Sequence, residues 1–192
     1  MSDLNGRLAF IQEAERLKNV LRSAHTSQGR RESTAEHTWR LCLMALVFAD
    51  RLEPVNLERV LKLCVVHDLG EAIHGDVPAV ALHLAAGKSD QERADLEVLT
   101  ATLPEGVRTE LLALWEEYEA GLTPEAKAVK ALDKLETIIQ HNQGDNPEDF
   151  DYAFNLDYGR RYTAADPLFA EIRALVDADT RRRAEASGQL PA

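Results

Sequence analysis

Two histidines and two aspartates stand out by their company. His67-Asp68 closes the most apolar helical stretch of the chain, LKLCVVHDLGEAIHGDVPA, and Glu71 and Asp76 follow within eight residues. Charge beside a core is tolerated when it is paired or bound to metal. His37 lies upstream in STAEHTWR, and Asp133 sits alone in the apolar VKALDKLETII. The order is His, then His-Asp thirty residues on, then Asp sixty-five residues later. Two imidazoles and two carboxylates form a ligand set for one divalent metal ion, with Mn, Co, Fe, Ni, Zn and Mg all compatible. A cation held this way lowers the pKa of a water and polarises a phosphoryl oxygen.

Singly, each residue has a plainer use: a helical His is commonly structural, and a helical Asp a cap or a surface charge. The set gains weight because all four fall on expected helices, and the core of a helical bundle can turn such side chains toward one centre.

The elements that must do this are helical throughout. Leu4, Leu8, Ile11, Ala14, Leu17 and Leu21 recur three or four apart, which predicts an amphipathic helix over 4–22. Residues 23–32, SAHTSQGRRE, read as a polar loop. Ser33 and Glu36 form a capping-box pattern opening a helix to about Leu52, and this makes Glu36 a cap. Pro54 interrupts, and Asn56 caps a helix to about Ala72. The composition of 75–78 predicts a turn, with a short helix near 79–86. Ser89 and Glu92 repeat the capping pattern before a helix to about Leu103, and Pro104-Glu105 begins another that ends at Gly121. Thr123-Pro124 opens the helix carrying Asp133, which ends near Asn142. Residues 143–165 are mixed, and Asp166-Pro167 starts a last helix to about Ala186 with a frayed tail after Arg183. No strand-type alternation competes, so the expected fold is all-α, a single-domain helical bundle over 1–192.

Length and composition agree with one soluble globular domain: 192 residues, 45 % hydrophobic and 29 % charged. A net charge of −11 excludes a broad nucleic-acid face, which needs clustered Lys and Arg. It leaves room for a small phosphate ligand. Cys42 and Cys64 lie in apolar helical patterns and read as reduced core thiols. No segment approaches the roughly 18 apolar residues of a membrane span, and MSDLNGRLAF lacks the regions of a signal peptide. The expected location is cytoplasmic.

EHTWR, HDLGEAIHGD and ALDKLE together resemble the HD superfamily of metal-dependent phosphohydrolases, in particular its 5′-deoxynucleotidase branch. The resemblance covers roughly residues 8–140. The HD pair alone is a modest signal, whereas S-x-x-E-H with H-D-x-x-E-x-x-x-x-D is much more specific. It implies an HD-type helical fold with one metal on His37, His67, Asp68 and Asp133. It also implies acid–base work by Glu71 and Asp76; either could serve the water and the other the leaving oxygen, with Asp76 on the water the arrangement preferred here. LKNVLR is similar to the branch's L-K-x-x-x-R, whose Arg contacts the substrate phosphate; here that is Arg22. Bacterial members place a Trp just after this Arg, against the sugar. Ser23 stands there in this chain, so a looser deoxyribose preference is expected.

Among the remaining candidates, Thr34 is expected to line the pocket beside Arg22, while Arg30 and Arg31 read as solvated loop charges. His74 and His83 read as exposed or supporting groups rather than ligands of a second metal, and Trp39 and Trp115 as packing residues. The expected activity is release of phosphate from (deoxy)nucleoside 5′-monophosphates by in-line attack of water. The alternatives are another small phosphate ester or a nucleoside triphosphate, or a helical protein that binds a nucleotide without turnover. The expected partners are a small phosphate substrate and, by resemblance, a second copy in a homodimer, with no nucleic acid and no membrane.

Overall fold

Local capping chemistry sets four of the helix starts. In the computed structural model, which describes residues 3–52, 54–78 and 87–191, the chain opens with α1 (Asp3–Ala14) and a 3-10 turn, Glu15–Lys18. A hairpin of β1 (Leu21–His25) and β2 (Arg31–Ser33) follows, then α2 (Thr34–Val47), α3 (Leu57–Val66) and the one-turn α4 (Glu71–His74). Next come α5 (Lys88–Leu99), α6 (Glu105–Ala120), α7 (Pro124–Gln143), α8 (Arg160–Thr163) and α9 (Pro167–Ala186). The Ser33–Glu36 capping box is formed in both directions, and Asn56, Thr123 and Asp166 each cap the helix assigned to them. Gly121 ends α6 in the left-handed conformation.

The bundle is built around α7. It packs against α2, α3, α6 and α9, and Leu132, Leu135 and Ile138 are fully buried with Leu41 and Leu63. Polar residues share that burial: Asp133, Glu136, Thr137 and His141 of α7 are also inside. A helix whose polar side chains face inward is positioned to build a site rather than only a core.

Four expectations about elements need correction. The first helix stops at Ala14, and residues expected as its end and as loop form the antiparallel hairpin instead, with Leu21 opposite Ser33 and His25 opposite Arg31. The hairpin hangs on the end of α7: Gln140 Nε2 donates to the His25 carbonyl at 2.6 Å, and Asp145 N to the Thr26 carbonyl at 3.0 Å. Gly144 permits this approach, since a Cβ there would lie 2.5 Å from the His25 oxygen. The helix assigned to 57–72 breaks after Val66, and His67–Gly70 form a turn before α4. Gly70 is required here, because a Cβ would meet the Glu92 carbonyl of α5 at 2.7 Å. Ser89 caps nothing: α5 begins at Lys88 after Gly87 and ends at Leu99, and the Ser89 hydroxyl bonds to Glu119. Finally, the tail is tied down, since Gln189 bonds to Ala153 N and the Phe150 carbonyl.

The expected helix near 79–86, and with it His83, lies outside the described residues. No helix among those described is long and apolar enough to cross a membrane.

Candidate metal centre and phosphate cleft

The four ligand candidates arrive from three elements. His37 stands in the first turn of α2, His67-Asp68 in the turn after α3, and Asp133 in the middle of α7. Ligand atoms of His37, His67 and Asp133 all lie within 4.8 Å of one another. His37 Nε2 is 3.2 Å from Asp133 Oδ1 and 3.8 Å from Asp68 Oδ2, and His67 Nε2 is 3.0 Å from that same Asp68 oxygen.

The second nitrogen of each ring is already committed. Nδ1 of His67 donates to the Cys64 carbonyl at 2.7 Å, and Nδ1 of His37 is bonded to the buried Glu136 carboxylate. Both Nε2 atoms are thereby aimed at the centre, as imidazole ligands are when a carbonyl or carboxylate holds the other nitrogen. His37 Nε2, His67 Nε2 and Asp68 Oδ2 are buried and have no hydrogen-bond partner. Three orphaned atoms at one point would each carry a desolvation cost, and a divalent cation satisfies all three. The residues fit the metal.

The electrostatics agree. Burial and Arg22 both oppose charge on His37, yet Glu136 and Asp133 outweigh them and push it up to about 10. Burial works against the Asp68 carboxylate too, but His67, His37 and Arg22 hold it below the usual range. Asp133 is likewise held well down against its burial, chiefly by Lys134 and His37. The centre attracts positive charge. A second cluster, Glu32, His37 and Glu136, already has the chain's own cations: Arg22 Nε lies 3.5 Å from Glu32 and Arg40 Nε 3.0 Å from Glu136.

The centre opens into a cleft of about 340 Å³. Arg22 reaches it from β1, with Nη1 3.6 Å from Asp68 Oδ2 and Nη2 donating to the Thr137 hydroxyl at 3.1 Å. Glu71 and Asp76 line the same cleft, as does Ser23. Glu71 is buried, accepts from the Thr34 hydroxyl at 3.3 Å and faces Lys88 Nζ at 3.5 Å. Burial, with Asp68 and Asp76 behind it, pushes Glu71 up to about 9.

Not every expected site residue reaches the wall. Thr34 is fully buried behind Glu71 and is not part of the cleft surface; it orients a carboxylate instead of lining the pocket. Arg30 pairs with Glu36, and Arg31 donates to the Arg22 and Leu21 carbonyls, so both stay outside. His74 pairs with Asp95 at 2.7 Å. Trp115 packs in the core, but Trp39 is 66 % exposed on α2, so it is no packing residue.

The sequence left several contributors unread. Glu136 is a second carboxylate in VKALDKLETII, three residues after Asp133, and that repetition was a usable signal. Tyr118 gave none, yet its hydroxyl bonds to Asp133 and its ring lies edge-on to His67 with centroids 5.2 Å apart. Lys134 Nζ contacts Asp133 Oδ2 at 2.8 Å.

The HD-domain family model matches residues 14–173. The chain belongs to the HD-domain family. Among its curated relatives, the 5′-deoxynucleotidase HDDC2 of Danio rerio is 39 % identical over 142 residues, covering 73 % of this chain and 70 % of that protein. The human 5′-deoxynucleotidase HDDC2 is 36 % identical, covering 73 % and 69 %. A crystal structure from Magnetospirillum magnetotacticum, described as a predicted metal-dependent phosphohydrolase, superposes with a TM-score of 0.80 at 34 % identity over 95 % of each chain. This HD-domain protein is accordingly a metal-dependent phosphohydrolase, and its all-α architecture, with one small hairpin, is that of the family.

Proposed function

We propose that this HD-domain protein hydrolyses nucleoside 5′-monophosphates, ribo- and deoxyribo-, to the nucleoside and inorganic phosphate. The observation that carries this reading is the convergence of three unpartnered buried atoms, His37 Nε2, His67 Nε2 and Asp68 Oδ2, beside a guanidinium on the wall of one cleft. The relatives named 5′-deoxynucleotidase supply the substrate class.

In this reading His37, His67, Asp68 and Asp133 hold one divalent cation. When bound, the cation supplies positive charge that acidifies water and offsets the charge on a phosphoryl oxygen. Arg22 binds two phosphate oxygens through its planar fork. Asp76 takes a proton from the attacking water, and Glu71, oriented by Thr34 and Lys88, serves the oxygen that leaves. The P–O5′ bond breaks as the new P–O bond forms, and the residues contribute chiefly positioning and charge. Reduced Cys42 and Cys64 suit a cytoplasmic setting, and a two-fold homodimer is the commonest assembly for such an enzyme.

Phosphate release from a nucleotide panel tests the activity, after chelation and addition of Mn, Co or Mg. Release is expected from 5′-monophosphates and only with metal. Equal release from sugar phosphates and nucleoside triphosphates would favour a broader phosphoesterase. The ligand set is tested by metal content: each of His37→Ala, His67→Ala, Asp68→Ala and Asp133→Ala should lose the ion and the rise in melting temperature it confers. Full occupancy in Asp133→Ala would sink the four-ligand assignment.

A further inference from the structure

The cleft does not end at the metal centre. Lys130, Arg161 and Tyr162 line both it and a second groove of about 570 Å³. That groove runs between the α2–α3 connection, the first turns of α7 and the α8–α9 connection.

The two spaces differ in chemistry. Around the metal centre the walls are mostly charged or polar, with Ala24 and Val77 the apolar exceptions. The groove has an apolar floor of Leu52, Val55, Ala128, Leu168 and Phe169. Its rim carries Arg51, Lys127 and Arg161 against one described carboxylate, Asp166, and Asp166 is occupied in capping α9 through Leu168 N at 2.8 Å. In a chain of net charge −11 this is a local reversal of sign. The cations are also poorly matched. Among the described residues Arg51 has only the exposed Glu171 at 3.8 Å. Among the described residues no ion pair involves Lys127 or Arg161, and the Arg161 guanidinium lies 4.6 Å from the Tyr162 ring centre.

A substrate whose only charge is the phosphate at Arg22 gives these three cations nothing to bind. An apolar floor suits the flat base and the sugar, and cations beyond it suit a further anion. We infer that the groove is a distal subsite of the same cleft, and that it takes a second phosphate on the 3′ side of the substrate. The ligand class is a nucleotide with a 5′-phosphate and a 3′-phosphate group, either a 3′,5′-bisphosphate or a 5′-phosphorylated dinucleotide. This rests on the nucleotide reading above. The chemistry is unchanged: water adds to the 5′ phosphorus, the P–O5′ bond breaks, O5′ takes a proton and inorganic phosphate leaves, while the 3′ phosphate stays on the product.

The test compares kcat/KM for a deoxynucleoside 5′-monophosphate, its 3′,5′-bisphosphate and a 5′-phosphorylated dinucleotide on the metal-loaded enzyme. The doubly phosphorylated substrates should be favoured about 5-fold, through KM, with the advantage shrinking as salt is added. Lys127→Glu and Arg51→Glu should remove the advantage, and Lys127→Arg should keep it. Equal kcat/KM for all three substrates overturns the inference, as does an equal loss on all three in Lys127→Glu. If the monophosphate turns over without any gain from the second phosphate, the groove assignment alone fails. If none of the three releases phosphate while the metal is bound, the nucleotidase reading fails and the subsite falls with it.

Discussion

The Tyr118 hydroxyl donates to Asp133 Oδ2 at 3.0 Å, and this fixes which oxygen of Asp133 faces the histidines. Lys134 contacts that same Oδ2, so Oδ1, 3.2 Å from His37 Nε2, is the one turned to the centre. Tyr118→Phe keeps the ring against His67 and removes only the hydroxyl. Loss of a partner that orients a ligand typically costs about 10- to 100-fold in metal affinity. Competition against a chelator should show a loss of that order with the melting temperature of the metal-free protein little changed. Unaltered affinity would mean that Lys134 alone orients the carboxylate.

Binding and chemistry should separate at Glu71 and Asp76. Glu71→Gln and Asp76→Asn retain shape and hydrogen bonding but cannot exchange a proton in the same way. Both should keep a full equivalent of metal while kcat drops by roughly 10²- to 10⁴-fold. Turnover at the wild-type rate in either variant would remove that residue from the acid–base pair.

Arg22 pairs with Glu32 at 3.5 Å as well as facing the cleft, so its removal has two effects. Burial pushes Glu32 up to about 7 even with the guanidinium nearby, and Arg22→Ala would leave it without that cation. Monophosphate KM should rise strongly in Arg22→Ala and recover only partly in Arg22→Lys, which keeps the charge without the planar fork. Circular dichroism on each variant separates a binding loss from a folding loss. With Ser23 on the cleft wall, ribo- and deoxyribonucleotides offered together at equal concentration should be hydrolysed at similar rates. A strong deoxy preference would assign sugar recognition to another cleft residue, with Tyr158 the first to test.

His141 gives a further pH dependence. It is buried against Asn155, and burial pushes it down to about 4. Between its unfolded value near 6.5 and that folded value, the unfolded chain takes up a proton that the folded chain refuses. Stability from this residue is therefore complete above about pH 6.5 and is lost as the pH falls toward 4, at up to about 1.4 kcal/mol per pH unit. Urea unfolding at pH 7, 5 and 4 should show a shallower decline in His141→Gln than in wild type. Parallel declines would show that other groups set the acid limit.

The helices that begin with a side-chain cap, α2, α3, α7 and α9, were legible because capping is local and is written in two or three residues. The cluster of His37, His67, Asp68 and Asp133 was legible for a related reason: a buried imidazole–carboxylate pair is conspicuous in an apolar run. The hairpin was not. Its strands carry Arg22, His25, Arg31 and Glu32 rather than alternating apolar groups, and they are held by the end of α7 instead of by a hydrophobic face. Tyr118 is silent for the same reason, since its partners lie on other elements and only the packing of α6 on α7 brings them together. Thr34 misled because a residue next to a capping Ser has no sequence feature showing whether it faces the cleft or the carboxylate behind it.

The attachment of the hairpin to the last turn of α7 makes that helix a shared lever. Asp133 sits at its middle, where four neighbours clamp it, while the hairpin that carries Arg22 is tied to its end through the Gln140–His25 and Asp145–Thr26 bonds, and the Arg22 guanidinium reaches back to Thr137. Helix ends open more readily than helix centres. On the proposed ligand set and phosphate contact, warming is expected to loosen the Arg22 end before the Asp133 centre, so that phosphate affinity falls at a lower temperature than metal affinity.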